Sequence, residues 1–111
     1  MKKEVELSNR EEQVMIVLWN IEESGNKAIC KDVVKILKDE FDLDFAITTV
    51  YTFLQNLVKK GYVKNEKKGV NCYTPVLSRD EYIEKVLYKI NGRFFNGNKK
   101  KLINTIKSID M

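Results

Sequence analysis

The chain has 111 residues, 43% of them apolar and 32% charged, with 20 basic against 16 acidic side chains. That length fits one domain or a domain with an appendage, and the apolar share excludes a disordered chain. No run approaches the roughly 18 apolar residues of a membrane span, and the lack of any histidine excludes histidine-based catalysis and histidine-ligated zinc. The start, Met1-Lys2-Lys3-Glu4, has no apolar stretch behind it, so no secretory signal is expected and the cytoplasm is the expected compartment. Cys30 and Cys72 are too few for a disulfide scaffold and lack metal-ligand spacing, so no metal or cofactor is expected.

Ser8 followed by Glu11 is a capping-box pattern. Behind it Val14, Val17, Leu18 and Ile21 recur at helical spacing, widened by Met15 and Trp19, which predicts a helix over about 9–22. Ser24-Gly25-Asn26 ends it. Val33, Val34, Leu37 and Phe41 predict a second helix over about 29–40, poorly capped because Ile29 stands where Ser or Thr would serve. Asp42-Leu43-Asp44 is a short connection whose aspartates are candidate caps. A third helix is expected from about Ala46 to Lys60, stopped by Gly61. At 100° per residue, Ile47, Val50, Phe53, Leu54 and Leu57 share one side. Thr48, Thr52, Gln55 and Lys59 share the opposite side, flanked by Tyr51 and Asn56. The β-branched residues of 48–52 lower helix propensity, so packing must hold the segment helical.

The period then changes toward two. Residues 62–66 read as a strand, Lys67-Lys68-Gly69 as a turn and 70–74 as the returning strand, closed by Pro75. A lone hairpin is unstable by itself and must pack on the helices. Ser78 with Glu81 gives a second capping box, and Ile83, Val86, Leu87 and Ile90 predict a fourth helix over about 79–91. Asn91-Gly92 and Asn96-Gly97-Asn98 bracket a break, after which Leu102, Ile103, Ile106 and Ile109 form a short last helix.

Charge is unevenly spread. Residues 1–77 hold 12 basic and 12 acidic side chains, whereas 78–111 hold 8 and 4. Lys59, Lys60, Lys64, Lys67 and Lys68 form one basic block and Lys99-Lys100-Lys101 another. A solvated lysine-rich surface is the commoner outcome for such runs, so charge alone does not identify a partner.

Three helices followed by a hairpin, with a short link between the second and third, is the order of a winged helix-turn-helix domain. The fold class expected is therefore mostly α with a small β-hairpin. In such a domain the third helix enters the major groove. Gln55 can present a donor and an acceptor to adenine, the threonines a hydroxyl and a methyl, and Lys59 a cation to phosphate or guanine. The hairpin tip, with Lys67 and Lys68, would lie on the sugar-phosphate backbone. The competing view is an ordinary solvent face. Its threonine-rich character and the lysine-tipped hairpin behind it favour DNA.

The segment from Thr48 to Val63, Thr-Thr-Val-Tyr-Thr-Phe-Leu-Gln-Asn-Leu-Val-Lys-Lys-Gly-Tyr-Val, resembles the TVxTxLxRLxxKGxx signature of the penicillinase repressors, the BlaI/MecI regulators and their CopY-type copper relatives. Glu12-Gln13-Val14-Met15 with Leu18-Trp19 resembles the start of that family. The resemblance implies a bacterial homodimeric transcriptional repressor, with a DNA-binding winged helix at 1–77 and a helical dimerisation tail at 78–111. It implies that Thr48, Thr49, Tyr51, Thr52, Gln55 and Asn56 lie in the DNA-reading helix, with Lys59 and Lys60 at its end. It also implies a double-stranded inverted-repeat operator as partner. Asn56 replaces the usual arginine and removes one cation. BlaI/MecI repressors are inactivated by a signal-activated protease that cuts an Asn-Phe bond in the tail. Here the pair in register is Thr105-Ile106, so the scissile pair is not reproduced. A CopY-type cysteine cluster is also missing, which argues against copper.

The tail supports a dimer independently. Ile83, Val86, Leu87, Ile90, Phe94, Phe95, Leu102, Ile103, Ile106 and Ile109 are too many large apolar residues for so short a segment to hide alone, and a symmetric second copy covers them most simply. A tail folded back on the first helix is the alternative. Among functions, the alternative to a repressor is a winged helix that docks an acidic protein. An enzyme finds no support, because no phosphate loop, nucleophile motif or metal cluster is present.

Overall fold

Ser8 opens the first helix as its spacing to Glu11 predicts. Ser8 Oγ accepts from the Glu11 amide at 3.2 Å, and Glu11 Oε1 accepts from the Ser8 amide at 2.8 Å. Two donors at the helix start are thereby satisfied reciprocally. In the computed structural model, which describes residues 6–111, this helix α1 spans Asn9–Glu23. The expectation about a secretory leader concerns Met1-Lys2-Lys3-Glu4 and lies outside the described residues. Gly25 ends α1 in the left-handed region at φ +84°, where the Asn26 amide reaches back to Ile21 O at 3.1 Å. Val14, Met15, Val17, Leu18, Trp19 and Ile21 are all buried, so α1 is enclosed on more than one side. Trp19 is a core residue whose Nε1 donates to Leu77 O at 2.9 Å, tying the chain that leaves the hairpin to α1.

Between α1 and the next helix, Ala28 O accepts from the Tyr73 amide at 2.8 Å, a single antiparallel bridge that the sequence pattern is too short to reveal. Helix α2 spans Cys30–Phe41 and, as Ile29 predicts, has no side-chain cap. Val33 and Leu37 are its buried residues. It ends at Asp42 in the left-handed region (φ 55°), with the Leu43 amide on Leu37 O at 2.9 Å. Helix α3 spans Ile47–Lys59 and starts from Ala46; of the two candidate capping aspartates, Asp42 is the C-cap of α2 and neither caps α3. Its buried residues are Val50, Leu54 and Leu57. Phe53 is only half-buried, edge-on to Phe45 at 5.6 Å between centroids, and the Arg10 guanidinium lies 5.4 Å from the Phe45 ring. Ile47 also departs from the expected core side: it is 53% exposed, because the buried row begins a turn further on, at Val50. Gly61, at φ +84°, closes α3 with its own amide on Val58 O at 3.1 Å and the Tyr62 amide on Leu57 O at 3.0 Å.

Strands β1 (Val63–Lys68) and β2 (Val70–Pro75) pair antiparallel, from Val63 opposite Pro75 to Lys68 opposite Val70. Lys67 and Lys68 thus belong to β1 rather than to a turn, and Gly69 alone makes the reversal at φ +79°. Tyr62, Val63, Cys72 and Tyr73 are buried and fasten the hairpin to the helices.

The chain divides into two compact units, the first ending at Ser78 and the second being Arg79–Met111. The second holds α4 (Arg79–Phe95) and α5 (Lys99–Ser108), which pack on each other. The break expected at Asn91-Gly92 does not occur. One glycine inside a helix costs about 1 kcal/mol, which a helix of this length tolerates. The corner needs Asn96 and Gly97, both at positive φ, after which Asn98 caps α5 by accepting from the Lys101 amide at 3.1 Å. Ile109 stands just outside α5 as its C-cap. No helix of the described residues is long and apolar enough to cross a membrane.

Candidate nucleic-acid interface

The outward side of α3 follows from its inward side. With Val50, Leu54 and Leu57 buried, Thr48, Tyr51, Thr52 and Lys59 are exposed, and Thr49, Gln55 and Asn56 are half-buried at its margins. The Thr52 hydroxyl donates to Thr48 O at 3.0 Å, which fixes its rotamer and leaves its oxygen lone pairs and methyl facing outward. The start of α3 is unusual beside that of α1. Where α1 has a capping serine and two acids in its first turn, α3 has no side-chain cap and no acid there. The Thr49 and Val50 amides bond Ala46 O at 3.0 and 3.2 Å, and the positive end of the dipole meets no side-chain cap.

Ile47, at the head of α3, is expected from the sequence on the core side and not among the DNA-facing residues. It begins a four-residue row that continues through Tyr51, Gln55 and Lys59. The Cys30 thiol donates to Ile47 O at 3.8 Å, holding the start of α3 to the start of α2. Burial pushes the Cys30 thiol's pKa up, so this cysteine is a packed group rather than a reactive thiolate. Beneath the same row lies Tyr73, 2% exposed, whose hydroxyl completes no hydrogen bond among the described residues. Burial raises its pKa, the neighbouring Tyr51 and Cys30 raise it further, and the nearby Gln55 amide opposes them. Gln55 thus lies where its amide can face Tyr73 or the outside.

Lys60 takes a different place from the one expected. Its Nζ lies 2.7 Å from Glu11 Oε1 and 3.2 Å from Glu6 O, so it clamps the end of α3 to the start of α1. Already paired inside the domain, this cation serves the fold rather than a phosphate. Glu11 is 4% exposed. Burial pushes its pKa up, but hydrogen bonds from Lys60 and Ser8 together with the Lys60 charge outweigh that and hold it below its ordinary value. In the sequence Glu11 shows only as the capping-box partner of Ser8, and nothing in the spacing points to Lys60.

Lys67 and Lys68 are both exposed at the tip of the hairpin. In the second unit, Ile83, Leu87, Phe94, Ile103, Ile106 and Ile109 are exposed, while Val86, Ile90, Phe95 and Leu102 are half-buried. No residue of α4 or α5 is fully buried.

Comparison with known proteins places this geometry. A family model described as "Penicillinase repressor" matches residues 7–109. A penicillinase repressor of Bacillus licheniformis is 30% identical over 104 residues, covering 93% of this chain and 77% of that protein. The solution structure of the DNA binding domain of the repressor BlaI superposes with a TM-score of 0.59 at 31% identity, over 74% of this chain and 94% of that one. The Bacillus licheniformis BlaI monomeric form in complex with the blaP half-operator superposes with a TM-score of 0.55, at the same identity and coverage. The complex structure of hsRosR-S4 shares the fold alone, with a TM-score of 0.57 at 16% identity over 93% of this chain and 88% of that one.

Proposed function

This chain belongs to the penicillinase repressor family, and from that premise we propose that it is a sequence-specific DNA-binding transcriptional repressor, working in the cytoplasm as a homodimer on an inverted-repeat operator, with no enzymatic role. The observation that carries this reading is the outward side of α3. Thr48, Tyr51, Thr52 and Lys59 converge there behind an uncapped, acid-free helix start. That is the set of donors, acceptors, methyls and cations that base edges and phosphates require. The relative solved with a half-operator has the same fold, which supports placing DNA against this helix. Thr49, Gln55 and Asn56 would serve at the edges of the contact, and Lys67 and Lys68 would clasp the backbone from the hairpin.

Residues 1–77 form the DNA-binding part in this reading and 78–111 the dimerisation part. The apolar residues that α4 and α5 leave exposed supply the surface for a second copy. Pairing two modules raises the effective concentration of the second once the first is bound. At the position corresponding to the cleavage site of BlaI/MecI repressors, Thr105-Ile106 lies inside α5, with the Thr105 hydroxyl on Lys101 O at 2.9 Å. Footprinting of the region upstream of the protein's own gene tests the reading. It expects two protected half-sites whose centres lie about 10 base pairs, or a multiple of that, apart. Uniform or absent protection contradicts it and would point to an acidic protein partner instead.

A further inference from the structure

Resting on the reading of α3 as the DNA-reading helix, we infer that Ile47 is a base-reading residue that recognises the C5-methyl group of a thymine. Three observations converge on it. Ile47 is the first residue of α3, and the N-terminal residues of a groove-inserted helix are those that meet base edges. It is 53% exposed and so contributes little to the core that Val50, Leu54 and Leu57 build. It also does not stand alone: Tyr51, one turn on in the same row, is 46% exposed, so an apolar strip lies beside the Thr48 hydroxyl.

The chemistry of that strip selects its ligand. Among the groups that base pairs present in the major groove, the thymine methyl is the apolar one. An isoleucine has no donor or acceptor with which to read anything else. Its β-branch leaves few χ1 states to lose on contact, and the Cys30 thiol bond to Ile47 O steadies the backbone that carries it. Ile47 therefore discriminates by excluding water from a methyl, and a cytosine, which carries only a hydrogen at C5, offers it no such contact.

The test uses the full chain. Duplexes selected from a random pool define the bound site, and each thymine in it is then replaced singly by deoxyuridine, which lacks only the methyl. Wild type is expected to lose about four-fold in affinity at one thymine per half-site, the factor that burying one methyl-sized group supplies. Ile47→Ala is expected to bind thymine and uracil equally at that position, with an unchanged melting temperature because the side chain is outside the core. Identical thymine-to-uracil ratios for wild type and Ile47→Ala at every position overturn the inference while leaving sequence-specific binding intact. Selection that enriches no motif overturns the underlying DNA reading, and this inference with it.

Discussion

At the scale of single residues, the molecule sorts its polar groups into those that hold the fold and those left for a ligand. Glu11 and Lys60 are of the first kind. The Glu11 carboxylate, held below its ordinary pKa of 4.5, contributes stability that is fully present above that value and is lost as pH falls through the lowered folded value. Urea unfolding from pH 7 to pH 3 should therefore show the stability gap between wild type and Glu11→Gln shrinking below about pH 4.5. A gap that does not change with pH contradicts the account. Lys60→Ala should cost about 1–3 kcal/mol near neutrality, because the nearly buried carboxylate loses its cation and keeps only Ser8. In the proposed function, Gln55 is of the second kind. If it reads adenine with both amide atoms, Gln55→Ala should relax base preference by about 1–3 kcal/mol at that position. Equal loss on all duplexes, measured by titration, would leave Gln55 as a neighbour of Tyr73 and nothing more.

At the scale of elements, the proposed function divides the work between the hairpin and α3. Lys67 and Lys68 stand at the tip on consecutive residues of β1, so their side chains leave opposite faces of the hairpin. Replacing both by alanine should weaken binding to every duplex alike and flatten the dependence of log affinity on log salt by up to about 2. An unchanged slope removes the hairpin from the interface. Much of this level was legible from the sequence, wherever a local rule dominates. Ser8 with Glu11 starts α1, Gly61 stops α3, and the shift in period after Gly61 marks the hairpin. The sequence misled where a rule was too local. Asn91-Gly92 suggested a break, but a glycine can be carried inside a helix when only Asn96 and Gly97 adopt the left-handed turn. Ile47 falls on the core side of a helical wheel, which has no ends. Only the position of α3 against its neighbours shows that the core starts at Val50. The bridge from Ala28 to Tyr73 and the clamp of Lys60 on Glu11 join residues 45 and 49 positions apart. No periodicity reports contacts at such separation.

At the scale of the whole molecule, the claim is of two copies reading two half-sites. In the proposed dimer, the apolar side chains that α4 and α5 leave exposed supply the contact surface for a second copy. Ile106→Asp places a charge among them and should halve the mass seen by light scattering. The same variant should lose its advantage for a palindrome over a half-site while keeping a folded winged helix by circular dichroism. An unchanged mass removes Ile106 from the dimer contact. The central claim, that this is a sequence-specific DNA-binding repressor, is tested most directly by fluorescence anisotropy. The duplex from upstream of the protein's own gene is titrated beside a scrambled duplex of equal length, at low and moderate salt. Tight binding that prefers the native duplex at both salts, and weakens as salt rises, is the predicted result. Equal and weak binding to both duplexes would contradict it.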